Sequence, residues 1–110
     1  AEVLLLAAEA LNRKSAPNDS QARVYLNEVR ARAFGNSSQN ITAAGEALKL
    51  AIWNERRLEL AMEGDRFFDL VRTGQAASVL TGLFSAGKHE LFPIPQDEVN
   101  ISGLDQNPRY

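Results

Sequence analysis

The stretch ERRLELAMEGDRFFDLVRTG, Glu55 to Gly74, decides how this chain folds. It closes a helical run that reads from about Ala43 to Glu63, and a helical wheel places Leu48, Ala51, Ile52, Leu58 and Met62 on one stripe. Glu55 and Glu59 fall inside that stripe. Trp53, Leu50, Leu60 and Ala61 cover much of the opposite side, so this helix is expected to be central and its two carboxylates at least partly buried. Buried carboxylates need cationic partners. Gly64 permits a bend, after which Asp65 to Arg72 reads as a short helix ending at Thr73-Gly74. Phe67, Phe68, Leu70 and Val71 span one arc of it, and Asp65, Arg66, Asp69 and Arg72 span the other. Glu55, Glu59, Arg56, Asp65, Arg66, Asp69 and Arg72 are therefore read as a structural ion-pair network joining two helices, with Arg66 and Arg72 the partners expected for Glu55 and Glu59.

Upstream, Val3, Leu4, Ala7, Ala8 and Leu11 recur at helical spacing in a run, Ala1 to Arg13, that holds neither Gly nor Pro. SAPND, Ser15 to Asp19, is a turn by composition, and Asn18 or Asp19 is placed to cap a second helix with the face Ala22, Leu26, Val29 and Ala33. That helix should stop at Gly35. Gly35 to Asn40 is a polar loop, with Thr42 as the expected N-cap of the third helix. The first two helices and their turn occupy about 34 residues, the period of tetratricopeptide-type hairpins, which must stack on neighbours to bury their apolar faces. Further helices upstream of Ala1 are expected for that reason.

Downstream, Gln75 to Leu83 reads as one more short helix. HELFPIP, His89 to Pro95, carries two prolines separated by one residue, which forbids a helix and favours an extended course. Asn100 to Tyr110 reads as an irregular tail held by docking of Leu104, Pro108 and Tyr110. The fold class is thus all-α: a tetratricopeptide-like hairpin over 1–35, a central helix with a short charged helix over 43–74, and a short helix with an extended, Pro-containing tail over 75–110.

Composition narrows function further. With 110 residues, 45% apolar, 12 Lys+Arg against 14 Asp+Glu and a net charge of −2, the chain lacks the basic excess that a nucleic-acid phosphate backbone requires. Zero cysteines exclude disulfides and thiolate chemistry in this chain, and a single histidine offers no zinc motif. No apolar run approaches the roughly 20 residues of a membrane span. Ala1 to Ala10, the longest, is broken by Glu2 and Glu9. No phosphate-loop pattern occurs, and no cofactor or metal is expected.

In order, AEVLLLAAEALNR, LNEVRARAFGN, NERRLELAMEGDRFFDLVRTG, LFPIPQDEV and QNPRY resemble the C-terminal part of the SusD-like (RagB/SusD) family over nearly the whole chain. The resemblance implies a cell-surface lipoprotein of the outer membrane, lipidated outside this chain, that captures oligosaccharides or other nutrients. It also implies a SusC-like TonB-dependent transporter as partner, with no bond made or broken. Phe67 stands where the family commonly has Trp, Ala7 where an aromatic often precedes AEA, and Arg109 where QNPGY would have glycine. The last departure implies a final turn that need not use a positive φ. No ligand-binding residue is carried over, because glycan contacts in the family lie mostly upstream.

Each candidate site has a plainer reading beside it. Glu55, Glu59, Asp65 and Asp69 suggest the paired acids of a glycosidase, but with Arg56, Arg57, Arg66 and Arg72 so near, ion pairing explains them better. His89, flanked by Lys88 and Glu90, reads as a packing or surface residue, and Ser37, Ser38 and Ser78 show no base partner. Trp53, Tyr25, Phe67, Phe68 and Phe92 read as core rather than sugar platforms. Arg23, Arg30 and Arg32 read as a solvated helix face. The expected role is therefore a non-catalytic scaffold segment of a capture-and-delivery protein, the alternative being a tetratricopeptide-like adaptor for a protein partner.

Overall fold

The computed structural model describes residues 1–110, all-helical with no strand, and divides into two units, Ala1–Arg66 and Phe67–Tyr110. The first unit holds α1 (Glu2–Arg13), α2 (Asp19–Phe34) and α3 (Gly45–Glu59). Its core is Leu5, Ala8, Ala22, Leu26, Val29, Leu48 and Ile52, with Leu4, Leu11, Tyr25, Ile41, Ala43 and Ala51 packed around it. On α1 the buried residues are Leu5, Ala8, Glu9 and Asn12, while Val3 is exposed, so the buried face lies slightly around from the expected one. Asn18 caps α2 as expected, its side-chain oxygen accepting from the Gln21 N–H at 3.1 Å. Gly35 ends α2 in the left-handed region, φ 71°, where a β-carbon would be strained.

The third helix is shorter than the wheel predicts. It starts after Ala44 rather than at a Thr42 cap and ends at Glu59 rather than Glu63. No side chain at its own N-cap serves it; instead the Asp19 carboxylate, from the first turn of α2, accepts the Gly45 N–H at 2.6 Å. Asn12, at the last turn of α1, donates to the other Asp19 oxygen at 2.8 Å and to the Gly45 carbonyl at 3.1 Å. One carboxylate thereby ties the ends of three helices.

The connection between α2 and α3 is stitched rather than loose. Residues 39–43 run along α2, and their alternate carbonyls accept in turn from its side chains: Gln39 from Arg30 at 2.7 Å, Ile41 from Asn27 at 3.0 Å, Ala43 from Arg23 at 3.1 Å. The donors sit at helical spacing on one face, the acceptors at the two-residue repeat of extended chain. Asn27 also accepts the Ile41 N–H at 2.8 Å, so its carboxamide pairs with one backbone residue in both directions. The expected solvated face of α2 is thus the framework for this connection.

The second unit holds α4 (Arg66–Arg72, entered from the first unit), α5 (Ala76–Val79) and α6 (Gln96–Ser102). The last corrects the expectation of an irregular course from Asn100 onward, since Asn100, Ile101 and Ser102 are helical. Pro95 sits at the N-cap, Asp97 and Glu98 lie in the first turn, and Gly103 closes the helix at φ 68°. Beyond it the tail clamps the Pro-containing stretch. Gln106 exchanges two hydrogen bonds of 2.7 Å with the Ile94 backbone, Asn107 donates to the Phe92 carbonyl at 2.6 Å, and the Tyr110 hydroxyl donates to the Leu91 carbonyl at 2.9 Å. Arg109 has φ 72°, contrary to the expectation from its side chain: the turn whose Asn107 carbonyl accepts from the Tyr110 N–H at 3.3 Å takes the form with a positive φ at its third residue. Its guanidinium donates to the Ala86 carbonyl at 2.5 Å.

Leu26 has no solvent exposure. Leu26→Ala is therefore expected to cost about 2–5 kcal/mol in denaturant unfolding. Asn27→Leu should cost about 1–3 kcal/mol by stranding both Ile41 backbone groups, whereas Leu83→Ala, at an exposed site, should fall within about 0.5 kcal/mol of the parent.

Candidate functional site

The clustered acids of the third helix find their cations on α2. Glu55 pairs with Arg30, both nearly withdrawn from solvent, and Glu59 pairs with Arg32. The pairing of these glutamates with Arg66 and Arg72 is corrected accordingly, since the guanidinia read as a solvated face are the ones that reach them. Arg30 is fully engaged: it also donates to the Gln39 carbonyl and lies 5.2 Å from the Phe34 ring centre. Arg32 is 64% exposed in its side chain, so its pair is mostly in water. Arg56 is buried on the same helix. Asp65 and Arg66 are half-buried at the following turn. In the second unit Asp69 accepts from Arg72 at 2.9 Å, an i, i+3 pair within α4.

A glycosidase needs one carboxyl free to donate a proton and another free to attack or to activate water. Glu55 and Glu59 are each engaged by a guanidinium, which occupies the carboxylate oxygens a substrate would need. No group of three or more His, Asp or Glu side chains is arranged to hold a metal.

Two carboxylates are electrostatically distinct. Asp19 is held below the ordinary aspartate range, first by the Gly45 N–H, then by Asn12, with the Arg23 charge assisting. Glu90 is likewise lowered, first by the Gly87 N–H, which donates to it at 2.9 Å. Both act as anchors for backbone amides.

The aromatic residues divide by unit. Trp53 is half-buried with Lys49 Nζ 4.6 Å and the Arg13 guanidinium 5.6 Å from its ring centre, so cations of α1 and α3 occupy the ring surface a sugar would use. In the second unit Phe67 lies about 6 Å from Phe68, Phe84 and Phe92, centre to centre. Phe68 and Phe92 are 58% and 65% exposed, which corrects their reading as core. His89 accepts the Ser85 N–H through Nδ1 at 2.9 Å and packs on Phe84 and Tyr110. Tyr110 is also covered by Lys88, 4.5 Å from its ring centre. The histidine is a turn-forming and packing residue.

Each unit carries a concavity. An open groove of about 530 Å³ is lined by Ser20, Arg23, Val24, Asn27, Asn40 and Thr42 among others, but Arg23 and Asn27 are already committed to the backbone of residues 41–43. A smaller one of about 130 Å³ lies in the second unit between Val71, Ala76, Phe84 and Glu90.

The SusD family's sequence profile matches residues 1–89. SusD-like protein P2 of Formosa agariphila is 38% identical over an alignment that spans this whole chain and 25% of that protein. SusD-like protein P38 of the same organism is 42% identical over 73% of this chain and 17% of its own length. The crystal structure of a SusD homologue from Bacteroides thetaiotaomicron superposes on 99% of this chain with a TM-score of 0.80 at 32% identity, using 26% of its own residues. The chain thus spans about a quarter, or less, of the length of these relatives.

The burial difference between the two inter-helix pairs sets their energies. Glu55→Gln is expected to cost about 3–5 kcal/mol, because Arg30 is left buried without its counter-charge, and replacing both partners by apolar residues should recover much of the loss. Glu59→Gln should cost under about 1 kcal/mol. Equal losses in denaturant titrations would contradict this ranking. For Asp19 the folded carboxyl ionises at lower pH than the unfolded one, so its contribution is complete above the unfolded value and disappears as pH falls through the folded one. Asp19→Asn should accordingly flatten the acid limb of a stability–pH profile.

Proposed function

The chain belongs to the SusD family, and from that premise we propose that it is the C-terminal helical segment of a larger protein that captures oligosaccharide or another nutrient at the cell surface. That protein passes its cargo to a SusC-like TonB-dependent transporter in the outer membrane. It is anchored there by a lipidated N-terminus outside this chain; no helix here is long and apolar enough to cross a membrane. Within that protein the segment is scaffold, covering residues 1–35 as a helical hairpin, 43–74 as the central and short charged helices, and 75–110 as short helices and a clamped tail. The remaining helices of the same polypeptide are its direct neighbours.

The observation that carries the reading is the family match along the chain together with the superposition of 99% of it on a SusD homologue. What supports a scaffold role is the chemistry of the polar residues. The glutamates of α3 face guanidinia, Asp19 and Asn12 hold helix ends, and Asn27 and Gln106 hold backbone. Groups so engaged orient structure and leave little for binding or turnover, so the protein is read as non-catalytic.

The parent protein, isolated from native outer membranes, is expected to carry a lipid-modified N-terminal cysteine and to co-purify with a large β-barrel. Intact-mass analysis and gel filtration of the detergent extract read both. An unmodified protein with no barrel would remove the transport reading and favour a tetratricopeptide-like adaptor.

A further inference from the structure

Ser85 and His89 are bonded to one another in both directions. The Ser85 carbonyl accepts the His89 N–H at 3.0 Å, and the Ser85 N–H donates to His89 Nδ1 at 2.9 Å. A side chain that reaches back to the amide opening a turn works as in a capping box, where the acceptor is ordinarily Glu or Gln. An imidazole nitrogen performs that task only while it carries no proton. Once protonated, Nδ1 is a donor and meets the Ser85 amide as one donor meets another.

The turn closed in this way is also where residues 109–110 rest. Arg109 donates to the Ala86 carbonyl at 2.5 Å, and the Tyr110 hydroxyl donates to the Leu91 carbonyl at 2.9 Å. The Tyr110 ring centre lies 6.4 Å from that of His89 and 4.5 Å from Lys88 Nζ. We propose that residues 85–91 form a proton-sensitive latch for residues 109–110, with the His89 imidazole as its sensor. The inference uses contacts inside this chain alone and goes beyond the transport reading without depending on it.

The charged groups around the ring set the direction of the response. Lys88 and Arg109 are cations already held at this turn, so a proton on His89 adds a positive charge beside two others. Glu90 is the anion that interacts with His89, and it favours the imidazolium. Its Oε1, however, already accepts the Gly87 N–H at 2.9 Å and does not replace the acceptor that Ser85 loses. That amide also holds the Glu90 carboxyl below the usual carboxylate range, so Glu90 stays ionised through the interval in which an imidazole takes up its proton. Acidification through that interval therefore acts on the turn through His89.

Hydrogen exchange of the full-length parent, read by peptide mass at about pH 8 and about pH 5.5, tests the latch, because an imidazole changes charge between them. After correction for the intrinsic pH dependence of amide exchange, peptides spanning 84–91 and 107–110 should lose protection on acidification. The loss should exceed that of a reference peptide within α2 by at least about threefold, the scale of one lost hydrogen bond. His89→Gln, whose side-chain oxygen accepts at both pH values, should abolish the excess, and Glu90→Gln should leave it in place. A loss no greater than the α2 reference would overturn the proposal, as would an excess that survives His89→Gln or vanishes with Glu90→Gln. If His89→Gln already lacks protection at the higher pH, the pH midpoint of the loss in the unaltered parent decides. A one-proton midpoint between about pH 5 and about pH 8 supports the imidazole, and a midpoint below about pH 5 assigns the loss to a carboxylate and overturns the latch.

Discussion

The first unit depends on a ladder of side-chain donors along one face of α2. Between Gly35 and Gly45 the chain has no helix of its own, yet it must deliver α3 to a defined place on the hairpin. Arg23, Asn27 and Arg30 do this by holding the carbonyls of Ala43, Ile41 and Gln39. The two periodicities match because two or three turns of helix and a few residues of extended chain cover similar lengths. Once the connection is laid down, Asp19 receives the Gly45 N–H and Glu55 arrives at Arg30. The buried ion pair and the ladder therefore rest on the same placement of the connection. Arg30 belongs to both and couples the position of the loop to the neutralisation of a charge that water cannot reach.

The second unit solves a related problem with the same chemistry. Pro93 and Pro95 have no N–H, so between them the backbone offers a single donor, that of Ile94. Gln106 accepts it and returns a bond to the Ile94 carbonyl, as Asn27 does with Ile41 in the first unit. A carboxamide carries the same donor and acceptor as a peptide group, so it can stand in for a neighbouring strand where none exists. The association of LFPIP with QNPRY in one sequence has a direct physical cause here. The second motif supplies the hydrogen-bond partners that the first one lacks.

Much of this was legible from residues alone, for stated reasons. The first four helices, the Asn18 cap and the stop at Gly35 follow from short-range rules, and each appears where those rules put it, within a few residues. The sixth helix had a signal too: Pro95, two acids in the first turn and Gly103, outweighed in the reading by the two prolines before it. Ion-pair partners were not legible. That Glu55 is buried follows from a wheel, but whether its cation comes from the next helix or the previous one depends on how the connection folds back, which is a tertiary fact. Arg30 and Arg32 looked like a solvated face because a helical wheel registers which side is polar and not what lies against it. Arg109 shows the same limit, since Pro at the second position of a turn suits both a negative and a positive φ at the third, and local sequence does not choose between them.

Burial in this segment is inverted relative to a binding site. Ligand sites gather polar groups whose hydrogen-bonding capacity is left over and surround them with apolar walls. Here the conspicuous polar groups, Asp19, Asn27, Arg30, Glu55 and Gln106, are turned inward onto backbone and counter-charge. The exposed large side chains are apolar instead: Val3 on α1, Leu58 in the last turn of α3, Met62 just after it, Phe68 and Phe92 in the second unit. Isolated exposed apolar residues are ordinary, whereas those that border an aromatic cluster leave a larger apolar area in water. Polar groups committed to backbone and counter-charge fix the geometry of this segment, and the apolar residues left in water are where further burial would add stability.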